Sequence, residues 1–111
     1  GEPVFDLILL GMGEDGHTAS IFPYRMDLLQ DSRLCAPSVH PVTAQPRITM
    51  TGTLIGRAES ICIAVTGSNK APLVSDCITD AAAASVYPAA AIGSSKSSHW
   101  LIDRAAAQNL L

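Results

Sequence analysis

An apolar run that stops abruptly at glycine, "VFDLILLG" at residues 4–11, constrains this chain more than any other stretch. It has almost no polar phase, so it reads as a strand buried on both faces, the pattern of a parallel sheet. Parallel neighbours need a crossover between them, so helix and strand should alternate along the rest of the chain. "RITMT" at 47–51 follows Pro46 and alternates with period two, which predicts a strand. Residues 51–58 read as a short helix capped by Thr51 or Thr53, 60–65 as a β-branched strand, and 69–78 as a helix. The alanines at 81–84 favour helix, which Pro88 must end. Residues 89–92 and 100–102 read as two more short strands, and Asp103 caps a terminal helix. Residues 24–45 have little periodicity and contain Pro37 and Pro41, which predicts a loop with one helical turn. No repeat or linker interrupts the pattern. The class is α/β: a mostly parallel, Rossmann-like open sheet flanked by helices.

Composition narrows the function. The chain has 111 residues, one domain's worth, with 48% hydrophobic and 15% charged residues. No apolar run approaches the roughly 20 residues of a membrane span, and no basic segment leads into an apolar one as in a secretory signal. A net charge of −3 and only seven scattered Lys and Arg argue against a nucleic-acid surface. They still permit a small anion site. Cys35, Cys62 and Cys77 are odd in number and lack C-x-x-C spacing, so neither a metal site nor a disulfide is expected. They read as reduced, mostly buried thiols of a cytoplasmic protein. The chain starts at Gly1 and enters a strand almost at once, as a cut or processed piece would.

The loop after the first strand, Gly11-Met12-Gly13-Glu14-Asp15-Gly16, matches the G-x-G-x-x-G dinucleotide fingerprint. That fingerprint also needs a helix of useful length at the loop, to seat a pyrophosphate on its N–H groups. Here Pro23 limits any helix on residues 17–22 to about two turns. No acidic residue closes a second strand about 20 residues on. A different reading accounts for more of the residues. Gly11, Gly13 and Gly16 allow close backbone approach, and free N–H groups there can face an anion or a developing oxyanion. His17 exchanges a proton near neutral pH, and Asp15, two residues away, can orient or charge-stabilise it.

"DLILLGMGEDGHTASIFP" at 6–23 closely resembles the signature of the 6-phosphogluconolactonases. "PRITMT" at 46–51, "AVTGSNKAPLV" at 64–74 and "WLIDRAAAQNL" at 100–110 resemble further blocks of that family, in the same order. The resemblance implies the open sheet of the sugar-phosphate isomerase and lactonase type, here incomplete. The family is about twice this long, and its first half carries a glycine-rich sugar-phosphate loop and an arginine not found here. Residues 1–111 thus resemble the C-terminal half of a single domain. The glucosamine-6-phosphate deaminases share the loop up to the histidine but end it in Asn-Glu-Pro, where this chain has Ile21-Phe22-Pro23.

The activity implied is hydrolysis of 6-phospho-D-glucono-1,5-lactone to 6-phosphogluconate in the pentose phosphate pathway, with no metal or cofactor. The alternatives are a deaminase-like isomerase or a non-catalytic sugar-phosphate-binding piece. On this resemblance His17 is the general base with Asp15 beside it. Gly11, Gly13 and Gly16 approach the substrate, and Arg47 and Lys70 hold its phosphate. The implied partners are a sugar-phosphate lactone and, for the incomplete sheet, either a missing N-terminal half or another copy of the chain. Nucleic acid and membrane are not implied. Arg25, Arg33, Arg57, Lys96 and Arg104 read as surface charges, Asp6, His40 and His99 as structural, and Trp100 as core.

Overall fold

A computed structural model describes residues 2–111. Three strands, β1 (Leu7–Leu10), β4 (Ser60–Val65) and β5 (Ser98–Ile102), form a wholly parallel sheet in the order β1-β4-β5. The register pairs Ile8 with Ile61 and Ser98, and Leu10 with Ile63 and Trp100, so these side chains share one face. On that face lies the core. Ile8, Leu10, Ile61, Ile63 and Val65 pack with Leu28, Ile55, Val74, Ala89 and Ile92. The last three come from α2 (Ala71–Thr79) and α3 (Pro88–Gly93).

The opposite face is open among the described residues, which corrects the expectation that the first strand is buried on both sides. Leu7 and Leu9 are 59% and 67% exposed, and Leu101 on β5 is 61% exposed. An apolar run is compatible with two buried faces but does not create the second covering layer.

β2 (Cys35–Val39) and β3 (Pro46–Met50) form a separate antiparallel pair. The sequence predicts a loop over β2, because Pro37 interrupts its pattern. Proline is tolerated on an edge strand, and β2 has only one neighbour. Ser38 and Thr49 point from the hairpin's buried face. The Ser38 hydroxyl donates to the Ser20 carbonyl at 2.6 Å, and the Ser20 N–H donates to Thr49 Oγ1 at 3.0 Å. The hairpin therefore grips the turn that follows His17. A 3-10 segment, Pro23–Leu29, takes the place of the single helical turn expected there.

Three further expectations need correction. Residues 89–92 are helix, not strand. Pro88 stands in the first turn of α3, where its missing N–H costs nothing, so it starts a helix as well as ending the 3-10 run Ala81–Ser85. The terminal segment is not a regular helix but a chain of turns ending in a 3-10 piece, Gln108–Leu110. Asp103 still caps it, accepting from the Ala106 N–H at 2.8 Å. The segment expected as a short helix after the glycine loop is a turn closed by a bridge between Thr18 and Ile21, with Ala19 at φ +50°. α1 (Gly52–Gly56) is capped by Thr51, not Thr53. No helix among the described residues is long and apolar enough to cross a membrane.

The three thiols are free, but only Cys62 is buried. Cys77 is half-buried, and desolvation with the nearby Asp76 charge pushes its thiol up to about 11. Cys35 is exposed.

Candidate active site

β1 and β4 are parallel neighbours, so their carboxyl ends lie at one edge of the sheet, where ligands bind in open α/β folds. The glycine loop leaves β1 there, and the loop 66–70 leaves β4 beside it. Between them lies an open cleft of about 460 Å³, lined by Gly11, Met12, Gly13, His17, Thr18, Thr66 and Lys70 among others. A larger cavity of about 610 Å³ lies between Pro23–Leu29, α1 and α3. Its walls are mostly apolar and hold no His, Lys, Arg or Cys, so it lacks the groups that chemistry on an anion would need.

His17 is held from several sides. Its N–H donates to Asp15 Oδ1 at 3.0 Å, and its Nδ1 lies 2.5 Å from the same oxygen. With Asp15 ionised, Nδ1 carries the proton and Nε2 keeps its lone pair. Partial burial pushes the Asp15 carboxyl up, but the His17 backbone and side-chain hydrogen bonds and charge outweigh this and hold it below its ordinary 3.8. The loop closes on itself. Gly13 N–H donates to the His17 carbonyl at 2.9 Å, Gly16 N–H donates to the Gly13 carbonyl at 3.0 Å, and Thr18 Oγ1 donates to the Gly11 carbonyl at 2.7 Å. The imidazole lies flush on Gly13. A Cβ there would come within 2.1 Å of Cε1 and 2.2 Å of Nδ1.

Gly16 has a different task from the other two glycines. Its φ of +85° turns the loop, the Tyr87 ring packs where a Cβ would stand, and its carbonyl accepts from the Ala89 N–H at 3.0 Å. It does not line the cleft. The loop is followed by a turn, so it has no helix N-terminus on which a dinucleotide pyrophosphate would rest.

Lys70 reaches across the cleft, and its Nζ donates to the Met12 carbonyl at 2.6 Å. Next to it, Asn69 Nδ2 donates to Glu14 Oε1 at 2.7 Å. Two successive residues of the 66–70 loop thus tie the glycine loop in place. Arg47 is half-buried on β3, and its Nε and Nη2 donate to Gln45 Oε1 at 3.2 and 3.0 Å. It is not among the residues lining the cleft. Gly11, Gly13, His17 and Lys70 therefore meet at one place with Asp15 behind them, while Gly16 and Arg47 stand apart. Sequence reasoning passed over Thr18, Thr66 and Asn69. Thr18 had a visible signal, a hydroxyl directly after the histidine. Arg25, Arg33 and Arg57 form surface pairs with Asp27, Asp31 and Glu2. Among the described residues no three His, Cys, Asp or Glu side chains converge as metal ligands would.

The sequence matches the family described as glucosamine-6-phosphate isomerases/6-phosphogluconolactonase over residues 1–101. A 6-phosphogluconolactonase of Treponema pallidum is 48% identical over 80 residues, which are 72% of this chain and 33% of that protein. A 6-phosphogluconolactonase of Synechocystis is 42% identical over 108 residues, 97% of this chain and 44% of the relative. A solved structure named devB protein superimposes with a TM-score of 0.90 at 40% identity, covering 98% of this chain and 46% of that one. The chain thus spans less than half the length of these relatives.

Proposed function

The chain belongs to the glucosamine-6-phosphate isomerase/6-phosphogluconolactonase family, and from that premise we propose that it carries the histidine-bearing half of a lactonase site hydrolysing 6-phospho-D-glucono-1,5-lactone. The single observation that carries this reading is the Asp15–His17 pair at a cleft shared with the Lys70 ammonium. A weak base with a free Nε2, close to a fixed cation, suits attack of water on a neutral carbonyl in an anionic substrate.

In the proposed reaction Nε2 of His17 takes a proton from water as the oxygen bonds to C1 of the lactone. Asp15 holds Nδ1–H and stabilises the imidazolium that forms. The carbonyl oxygen gains negative charge. The N–H groups of Gly13, Gly16 and His17 are already committed within the loop. The Met12 N–H has no partner among the described residues, so it is the proposed oxyanion donor. The C1–ring oxygen bond then breaks, and His17 returns its proton to the departing oxygen, giving 6-phosphogluconate. Lys70 has three ammonium hydrogens and gives one to Met12, which leaves two for phosphate oxygens. Arg47 is proposed as a second phosphate contact, reached by letting go of Gln45. Residues 1–111 make up the C-terminal half of the domain in this proposal, and the open sheet face takes the remaining half of such a lactonase.

The test is lactone hydrolysis by the chain combined with a complementary N-terminal half. His17→Ala should lower kcat by about 100-fold or more, with affinity for 6-phosphogluconate little changed. Hydrolysis at the parent rate would remove His17 from the mechanism. Binding of the product without turnover in the parent protein would favour a sugar-phosphate-binding piece instead.

A further inference from the structure

Phe22 ends the turn that follows His17 and is 0% exposed. Its ring centroid lies 4.8 Å from that of His17, with the planes inclined by 44°. Two rings back it on other sides. Tyr24 stacks at 6.2 Å and 16°, and His40 meets it edge-on at 5.4 Å and 72°. Both backing rings are tied to the β2–β3 hairpin. His40 Nδ1 accepts from the N–H groups of Val42 and Thr43 at 3.1 and 3.2 Å, and the Tyr24 hydroxyl donates to the Val39 carbonyl.

The hydrogen bond that Nδ1–H donates to Asp15 fixes one atom of the imidazole and leaves the ring free to pivot about it. Two walls remove that freedom. One is the Gly13 backbone, which leaves no room for even a methyl group. The other is the Phe22 ring. For packing alone any apolar side chain of similar volume would serve in this buried position. An aromatic face adds something an aliphatic one does not, because its negative quadrupole favours an imidazolium lying against it.

The geometry points to Phe22 as a positioning residue for His17, one that keeps Nδ1 on Asp15 and Nε2 directed at the cleft. This rests on the reading of His17 as the general base. The hairpin thereby serves the site apart from Arg47 as well, since it fixes the rings that fix Phe22.

The experiment is imidazole nitrogen NMR on the 15N-labelled chain, at a pH high enough that the nitrogen shifts no longer change with pH and the ring is neutral. The parent chain should show His17 in the Nδ1–H form. Phe22→Leu, and independently Phe22→Met, should raise the population of the Nε2–H form at least threefold, toward the tautomer that free histidine prefers. Urea denaturation of each variant identifies which is folded, and the two substitutions differ enough in shape that one can stand in for the other. A folded variant with the parent tautomer population overturns the inference, as does a parent chain already in the Nε2–H form. In lactone hydrolysis with the complementary half, the folded variant should lose about tenfold in kcat with KM within twofold. If the parent hydrolyses no lactone, the functional reading fails while the tautomer measurement still decides the role of Phe22, because it needs no substrate.

Discussion

His17 and Gly13 share a contact that makes the glycine as specific as the histidine. Gly13→Ala would place a methyl group within 2.1 Å of the imidazole. The ring must then swing off Asp15, because the backbone at Gly13 is itself pinned to the His17 carbonyl. The expected outcome is a fall in kcat of tenfold or more, with a smaller effect from Gly11→Ala, whose Cβ would meet nothing within 4 Å. Steady-state kinetics on the two variants checks the ordering. Asp15 supplies a pH prediction. Its carboxyl is held below its ordinary value by His17, so the pair stabilises the fold above pH 3.8 and loses this contribution as pH falls through the lower folded value. In His17→Ala the side-chain hydrogen bond and the imidazole charge are lost, while burial and the backbone N–H of residue 17 remain. Asp15 should then titrate higher than in the parent chain, which the pH dependence of its carboxyl carbon shift would show. An unchanged titration would mean that the Asp15–His17 bond does not form in solution. The sequence alone points to His17, Asp15 and Gly13, because a strand, three glycines and a histidine in one short run leave few other uses. The contact between Gly13 and the ring was not legible, since it depends on how the loop folds back over four residues.

Among the elements, α1 shows how one side chain joins two segments. Thr51 Oγ1 accepts from the Leu54 N–H at 3.3 Å and lies 2.6 Å from the Arg33 carbonyl, to which it donates. Thr51 is 0% exposed, so its removal leaves buried backbone groups without partners. Thr51→Ala should destabilise the chain by about 1–3 kcal/mol, measured by urea denaturation. Thr53→Ala removes a single bond to the Asp31 carbonyl and should cost less. The sequence left these two threonines equivalent as caps, and the position of residues 31–34 distinguishes them. β4 and α1 were readable because their patterns are local. β2 was not, since Pro37 weakens the strand pattern and its pairing partner lies beyond a turn. α3 was misread because Ala89–Ala90–Ala91–Ile92 carries no period, and the same proline that ends one segment begins the next.

On the scale of the whole molecule the open sheet face dominates. Leu7, Leu9 and Leu101 form an exposed apolar surface on the sheet's uncovered side. Such a surface favours association when nothing covers it. The chain by itself should therefore self-associate with rising concentration, and Leu9→Lys with Leu101→Lys should suppress this, as sedimentation velocity would report. A monodisperse parent chain would show that the face is tolerated in water. The same two substitutions should also weaken docking of a complementary half. The sequence by itself determined the parallel β1 and β4 strands, the loop between strand and turn, and the family, because each is carried by neighbouring residues: an apolar run, glycines and a histidine in fixed order. The tertiary structure alone decided that Lys70 crosses to Met12, that Phe22 backs His17, that Arg47 stands away from the cleft and that one sheet face is bare. These depend on residues far apart in the chain meeting at the carboxyl edge of the sheet, and on which layers cover it. No local spacing encodes either.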